Sequence, residues 1–148
     1  MKITKLQWTG IDVSADDYGA MRDFVKDVLG LHPVVDVPGF GVFATPNHAM
    51  VELYSPTAPR APWRTGNAVG IGFDSDDLDA ALAELVKHRI EVIKSYPGSE
   101  ALPRMGISLK DGVHVVKGVG AGGGDYRYAF FRAPDGRVYA IAQSSPNP

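Results

Sequence analysis

Glu52 is the residue of this chain best placed for acid–base chemistry. It lies in the stretch Met50-Val51-Glu52-Leu53-Tyr54, whose length and composition predict a short strand. Because side chains alternate along a strand, Glu52 shares one face with Met50 and Tyr54. A carboxyl group in a partly apolar environment has a raised pKa, which suits a general acid or base. The alternative is a purely structural carboxylate that accepts a hydrogen bond from a neighbouring backbone group or from Tyr54.

Other common kinds of chemistry find little support in the composition. The chain has no cysteine, which excludes disulfides, thiolate metal sites and cysteine nucleophiles. The four histidines are expected in surface or rim positions: His32 after a helix, His48 in a turn, His88 on a helix and His114 in an irregular segment. The net charge is −2 and basic runs are absent, so neither nucleic acid nor a membrane is an expected partner. With no signal peptide or apolar span, we expect a cytoplasmic protein.

A second strand, predicted over residues 6–13, carries the aromatic residue that faces the same site as Glu52. Alternation places Trp8, Gly10 and Asp12 on one face, and Thr9, Ile11 and Val13 on the face that packs under a helix. The indole ring of Trp8 offers a broad apolar surface for stacking.

The chain also repeats itself. Phe43-Ala44-Thr45-Pro46-Asn47 is similar to Phe131-Arg132-Ala133-Pro134-Asp135, at an offset of 88 residues (131 − 43). Ile11-Asp12 is similar to Phe73-Asp74, at an offset of 62 (73 − 11), and each pair precedes an acidic cluster and a helix-like stretch. Two similar halves predict two copies of one supersecondary unit that share a core and a site.

Each half is predicted to form a strand, a helix and three further strands. The first module covers residues 1–55, the linker 56–66 and the second module 67–148. Strands are predicted at 6–13, 34–37, 40–45, 49–54, 68–75, 91–96, 126–132 and 137–143, with helices from about 17 to 29 and from 78 to 89. Residues 97–125 depart from the repeat and end in a glycine-rich run, which is expected to be a hairpin tip or a lid. Trp63 falls in the proline-rich linker and is expected to lie away from the site.

This order of elements resembles the glyoxalase/bleomycin resistance/dioxygenase group, the vicinal oxygen chelate superfamily. Three motifs carry the resemblance: Asp27-Val28-Leu29-Gly30-Leu31, Asp76-Asp77-Leu78-Asp79-Ala80-Ala81, and the stretch from Phe130 through Pro134-Asp135-Gly136 to Tyr139. The resemblance implies an α+β fold of two tandem βαβββ modules, whose curved mixed sheet forms a cup with the helices outside. It also implies a homodimer.

Metal-using members of that family place one ligand in each of four strands. Carried over residue by residue, these positions fall on Trp8, Glu52, Gly70 and Ala140. Only Glu52 has a side chain that coordinates a metal, and one carboxylate cannot hold Zn, Ni, Mn or Fe(II). We therefore expect no metal and no cofactor, and neither glyoxalase I nor extradiol dioxygenase activity, because both need the metal.

Many of the positions expected to line the cup are glycine or alanine. Strand alternation assigns to it Trp8, Gly10, Asp12, Met50, Glu52, Tyr54, Gly70, Gly72, Asp74, Val138, Ala140 and Ala142. Glycine and alanine leave room for an organic ligand that stacks on Trp8. The other possibility is a collapsed cup, filled by Trp8 itself.

Two functions from different classes follow. The first is a metal-independent, glyoxalase/bleomycin-resistance-like protein that sequesters a small aromatic or polycyclic metabolite in the cup. The second is a metal-independent isomerase, cyclase or lyase of a secondary metabolite that uses Glu52 as its general acid or base. A degenerate partner-binding module, with a filled cup, is a third reading. Fold analogy alone does not choose among them.

Overall fold

A computed structural model describes residues 2–64 and 68–143 of the chain. Its contacts divide the chain into two compact units. The first unit is Leu6–Ile71, and the second unit is Met1–Lys5 together with Gly72–Pro148. The expected linker, residues 56–66, ends outside the described residues, and its residues up to 64 belong to the first unit.

The first unit contains one mixed sheet and one helix. The strands run in the order β2-β3-β4-β1, with β1 and β4 parallel and the other neighbours antiparallel. The elements are β1 (Ile3–Asp12, whose first residues belong to the second unit), α1 (Tyr18–Asp23, extended by a π-helical turn at Phe24–Val28), β2 (His32–Val37), β3 (Phe40–Ala44) and β4 (Met50–Tyr54).

The core of the first unit lies between α1 and one face of this sheet. It is formed by Tyr18, Val25, Phe43 and Leu53, with Ile11, Val13, Met21, Leu31 and Val51 packed around them. The helix ends close to the predicted residue 29. Gly30 ends it with a φ of +67°, and the backbone N–H of Leu31 donates to the carbonyl of Val25. Since Ile11 and Leu53 face the helix, Trp8, Gly10 and Glu52 lie on the opposite face.

The second unit also combines a mixed sheet with one helix. Its strand order is β5-β10-β9-β8-β7, with β6 also paired to β9. The elements are β5 (Val69–Ser75, whose first residues belong to the first unit), α2 (Leu78–Lys87), β6 (Glu91–Ile93), β7 (Ile107–Lys110), β8 (Val113–Val116), β9 (Tyr126–Arg132) and β10 (Val138–Gln143), with a 3-10 helix at Ser99–Met105. Asp77 caps α2, accepting a hydrogen bond from the backbone N–H of Ala80 at 3.0 Å. Leu78, Ala81, Ala129 and Ile141 form the core.

The prediction for residues 97–125 is wrong in one respect, since this segment contains the β7–β8 hairpin. The signal was present: Asp111-Gly112 separates two alternating runs, and both residues have positive φ in the turn. Strand β6 ends at Ile93, before the predicted 96, because β8 takes over the same edge of β9. The glycine-rich run joins antiparallel β8 to β9, in agreement with the expected hairpin tip.

The pairing registers repeat at the offsets found in the sequence. Gly10 pairs with Glu52 in the first unit, and Gly72 pairs with Ala140 in the second. These positions differ by 62 (72 − 10) and 88 (140 − 52), so the internal repeat extends to individual strand pairs. The predicted α+β class is confirmed in both units. Among the residues that the structure describes, no helix has the length and apolar character needed to cross a membrane.

Candidate functional site

Glu52 lies at the middle of β4, on the face that points away from α1. The hydroxyl of Tyr54 donates a hydrogen bond to Oε2 of Glu52 at 2.5 Å. Burial raises the pKa of Glu52 to about 7, and the hydrogen bond from Tyr54 opposes that rise. The side chain is partly rather than fully buried. At neutral pH the carboxyl group is therefore present in both protonation states, and it can either give or take a proton.

Three aromatic rings pack together on the face of the first unit that carries Glu52, and one of them, Tyr54, contacts its carboxyl group. Trp8, Tyr54 and Trp63 are each less than 10% exposed. The ring centroids of Trp8 and Trp63 lie 5.9 Å apart, and the ring of Tyr54 meets that of Trp63 edge-on at 5.1 Å. The expectation that Trp63 lies away from the site is wrong. Its side chain packs on the same sheet face as Trp8.

The indole of Trp63 covers two of the glycines that were expected to leave an open space. A Cβ atom on Gly10 would lie 2.6 Å from Cζ2 of Trp63, and one on Gly70 would lie 2.5 Å from Cδ2. Any side chain at either position would collide with the ring. Positions 10 and 70 therefore require glycine, because the ring of Trp63 lies against the backbone there.

Arg64 holds the segment that contains Trp63 against β1 through an ion pair with Asp12. Its Nε donates to Oδ1 of Asp12 at 2.6 Å, and both side chains are largely buried, at 14% and 6% exposure. Its two terminal nitrogens donate to the carbonyl oxygens of Ser55, Ala58 and Pro59. The guanidinium carbon also lies 5.0 Å from the centroid of the Tyr54 ring. Residues 55–64 form a strap held against the first unit, and we call them the strap below.

The residues present do not fit the metal that the family resemblance implies. Of the four corresponding positions, three have no side chain that can coordinate a metal, namely Trp8, Gly70 and Ala140. The ring of Trp63 also lies over Gly70. Within residues 2–64 and 68–143, no cluster of three or more His, Cys, Asp or Glu side chains is arranged to hold a metal ion. No chemical step through a metal is derived for this chain.

The remaining predicted site residues lie in the second unit, on the sheet face opposite α2. Ile141 packs toward α2, so its neighbours Ala140 and Ala142 point to the other face, with Gly72 and Asp74 as their strand partners. Ala140 and Ala142 are fully buried. Asp74 is buried and accepts a hydrogen bond from the hydroxyl of Thr4. Val138, at the start of β10, is partly buried.

His114 was expected at the surface or rim, and this prediction is wrong. It lies on β8, fully buried, with its ring stacked on that of Tyr128 at 4.4 Å and on that of Tyr96 at 5.7 Å. Its Nδ1 donates to the carbonyl of Tyr128 at 3.3 Å, and its Nε2 lies 2.9 Å from the hydroxyl of Tyr96. Sequence reasoning missed it because the strand that carries it was not predicted.

Burial lowers the pKa of His114 to about 4, below the ordinary value near 6.5. The unfolded chain therefore binds more protons than the folded chain between these values, and stability falls as the pH is lowered through that window. We expect the protonation of His114 to lower the free energy of unfolding by roughly 1–3 kcal/mol between pH 7 and pH 4. Urea unfolding of the wild type and of His114→Phe at both pH values measures the difference.

The matched control for this experiment is His48→Asn. His48 is exposed in a turn with a φ of +62°, a conformation that asparagine tolerates. The control should keep the wild-type dependence of stability on pH, whereas His114→Phe should lose the part that arises from His114. If His114→Phe and the wild type lose equal stability on acidification, the buried histidine is not the cause.

Each unit thus combines a mixed sheet, covered on one face by a helix, with a polar group that contacts aromatic rings. The two units also repeat one strand-pairing register. This defines a class of proteins built from two βαβββ-like repeats. The family model described as Glyoxalase/Bleomycin resistance protein/Dioxygenase superfamily matches residues 5–102. The chain belongs to this superfamily. A comparison with curated proteins gave no match.

Solved structures agree in fold. A 4-hydroxymandelate synthase mutant from Streptomyces coelicolor has a TM-score of 0.66 at 13% identity, over 97% of this chain and 49% of the other. Methylmalonyl-CoA epimerase from Mycobacterium tuberculosis has a TM-score of 0.58 at 18% identity, over 97% and 90%. The Mn(II)-bound glyoxalase from Novosphingobium aromaticivorans has a TM-score of 0.59 at 20% identity, over 97% of this chain and 40% of the other. The chain spans about half the synthase and 27% of a xylose isomerase-like/4-hydroxyphenylpyruvate dioxygenase fusion protein. At these identities the likeness shows the fold alone.

Proposed function

We propose that this protein binds a small aromatic or polycyclic organic molecule at the sheet face that carries Glu52, without a metal held by the protein. The observation that carries the proposal is a cluster of three aromatic rings, Trp8, Tyr54 and Trp63, in which Tyr54 is hydrogen-bonded to the partly buried carboxyl group of Glu52. Binding sites for organic molecules are mainly apolar and contain a few placed polar groups, which is the composition found here.

The chemistry of the site favours a neutral or weakly polar ligand. Aromatic rings supply stacking and edge contacts. Glu52 supplies one hydrogen-bonding group that accepts when ionised and also donates when protonated. Its pKa near 7 means that a neutral ligand can be bound without burying a permanent unpaired charge. The role we assign is sequestration, as in the antibiotic-binding branch of the family.

Trp8→Ala is expected to weaken the binding of a planar aromatic ligand about ten- to a hundredfold. The loss of stacking and of buried aromatic area is worth roughly 1–3 kcal/mol, which corresponds to that range of affinity. Isothermal titration calorimetry measures it, with ligands taken from metabolites that copurify with the protein.

Tyr139→Phe is the matched control, because Tyr139 contacts Phe73 and Phe131 on the helix side of the second unit. It should leave the affinity unchanged. Trp63 cannot serve as this control, since its ring packs against Trp8. A folded Trp8→Ala variant that binds as tightly as the wild type would place the ligand elsewhere.

One observation favours a second function, that of a metal-independent isomerase, cyclase or lyase. Burial brings the pKa of Glu52 to about 7, the value most useful for general acid–base catalysis at neutral pH. The hydroxyl of Tyr54 orients the carboxyl group through one oxygen and leaves the other for a substrate. In this reading Glu52 is the catalytic residue.

We also propose, from the family resemblance, that the two repeats together form a single domain and that the protein is a homodimer. The ligand-binding roles of Gly72, Asp74, Val138, Ala140 and Ala142 belong to the same proposal.

A further inference from the structure

The ring of Trp63 rests on a flat surface formed by two glycines, which we call the glycine bed. A Cβ on Gly70 would meet Cδ2, Cε3 and Cε2, the atoms around the fusion of the two rings. A Cβ on Gly10 would meet Cζ2 and Cη2, at the far edge of the six-membered ring. All five of these atoms belong to the six-membered ring of the indole, so the bed matches one planar six-membered aromatic ring in width.

The surroundings of the bed are those of a binding site. Trp8 borders it with a tilted ring, and Tyr54 borders it edge-on. Glu52 is the cross-strand partner of Gly10, so its carboxyl group lies at the margin of the bed. A molecule on the bed would meet aromatic surface on two sides and one hydrogen-bonding group.

Trp63 occupies the bed without being part of the sheet. The strap around it makes local backbone hydrogen bonds, from Ala58 to Ser55 and from Arg64 to Ala61, and forms no strand. Its long-range polar attachment to β1 is the pair between Arg64 and Asp12. The ring can therefore leave the bed without breaking strand pairing.

We propose that the glycine bed is the binding site for a planar six-membered aromatic ring of the ligand and that Trp63 occupies it when no ligand is bound. The inference rests on the proposed function and narrows it, because it names the place of the ligand's ring and the side chain that the ring displaces. A ligand must displace the indole of Trp63, so the affinity of the wild type is lowered by the cost of that displacement.

The test uses indole itself as the probe. The sequence has two tryptophans, so labelling with 5-fluorotryptophan gives two ¹⁹F resonances, which Trp8→Phe assigns. Titration of the wild type with indole should move the Trp63 resonance toward the position of free 5-fluorotryptophan. Calorimetry should show that Trp63→Ala binds indole about tenfold more tightly than the wild type, because nothing has to be displaced. Trp63→Leu, which removes the ring and keeps an apolar side chain, should fall between them and replaces the alanine variant if that variant does not fold.

Three results would overturn the inference. Binding of indole to the wild type with the Trp63 resonance unmoved would reject the displacement and leave the proposed function standing. A folded Trp63→Ala or Trp63→Leu variant that binds indole no more tightly than the wild type would have the same meaning. Binding only by the variants, and by no form with Trp63, would show a cavity made by truncation and would count against the proposed function as well.

Discussion

Glu52→Gln is expected to lower the turnover of a substrate by roughly two to four orders of magnitude if the protein is an enzyme, with binding largely retained. Glutamine has nearly the same size and can still form hydrogen bonds, but it cannot transfer a proton. Burial raises the pKa of Glu52 to about 7, so the wild-type group takes and returns protons readily at neutral pH. The wild-type rate should accordingly change with pH around 7, and this dependence should vanish in the variant.

For a binding protein the same variant gives a different result. A neutral ligand loses no charge pair, so its affinity should change by less than about tenfold. Measuring turnover and affinity on the same ligand separates the two functions. Glu91→Gln is the matched control, since Glu91 is an exposed carboxylate paired with Arg132 at the surface of the second unit. A substrate that the wild type converts, and that Glu52→Gln binds but does not convert, would establish the enzyme.

Arg64→Leu is expected to reduce the free energy of unfolding by about 3–5 kcal/mol. Removing one partner of a buried ion pair leaves the other charge uncompensated, and Asp12 is only 6% exposed. The change also removes the hydrogen bonds that Arg64 donates to carbonyl oxygens of the strap. Urea unfolding at neutral pH measures the loss.

Two comparisons show whether the buried charge is the cause. Arg132→Leu breaks an exposed ion pair and should cost about 1 kcal/mol or less. Combining Arg64→Leu with Asp12→Asn removes the stranded charge and should recover part of the stability. Equal losses for Arg64→Leu and Arg132→Leu would show that the strap contributes little to the fold.

The sequence predicts the repeated strands well because the alternation of side chains along each strand is a local, periodic signal. Strand alternation alone places Trp8 and Glu52 on the face away from α1, and the offsets of 62 and 88 reappear in the pairs Gly10–Glu52 and Gly72–Ala140. The β7–β8 hairpin also had a local signal in Asp111-Gly112, so its omission was avoidable.

The contacts of the strap could not be predicted in the same way. Trp63 and Arg64 lie in a proline-rich stretch without periodicity, and their partners on β1 are tens of residues away, as with Arg64 and Asp12 at a separation of 52. Glycines at positions 10 and 70 are consistent with an open space or with an approaching ring, and only the folded chain distinguishes these possibilities.

One of the two units is discontinuous in sequence, because residues 1–5 belong to the same unit as residues 72–148. The hydroxyl of Thr4 donates to Asp74, and the backbone N–H of Asp76 donates to the carbonyl of Lys2 at 3.3 Å. A chain cut between Ile71 and Gly72 would have to make these contacts between two separate molecules. The recovery of the fold from two such fragments would then depend on their concentration, whereas in the intact chain the connection supplies a high effective concentration.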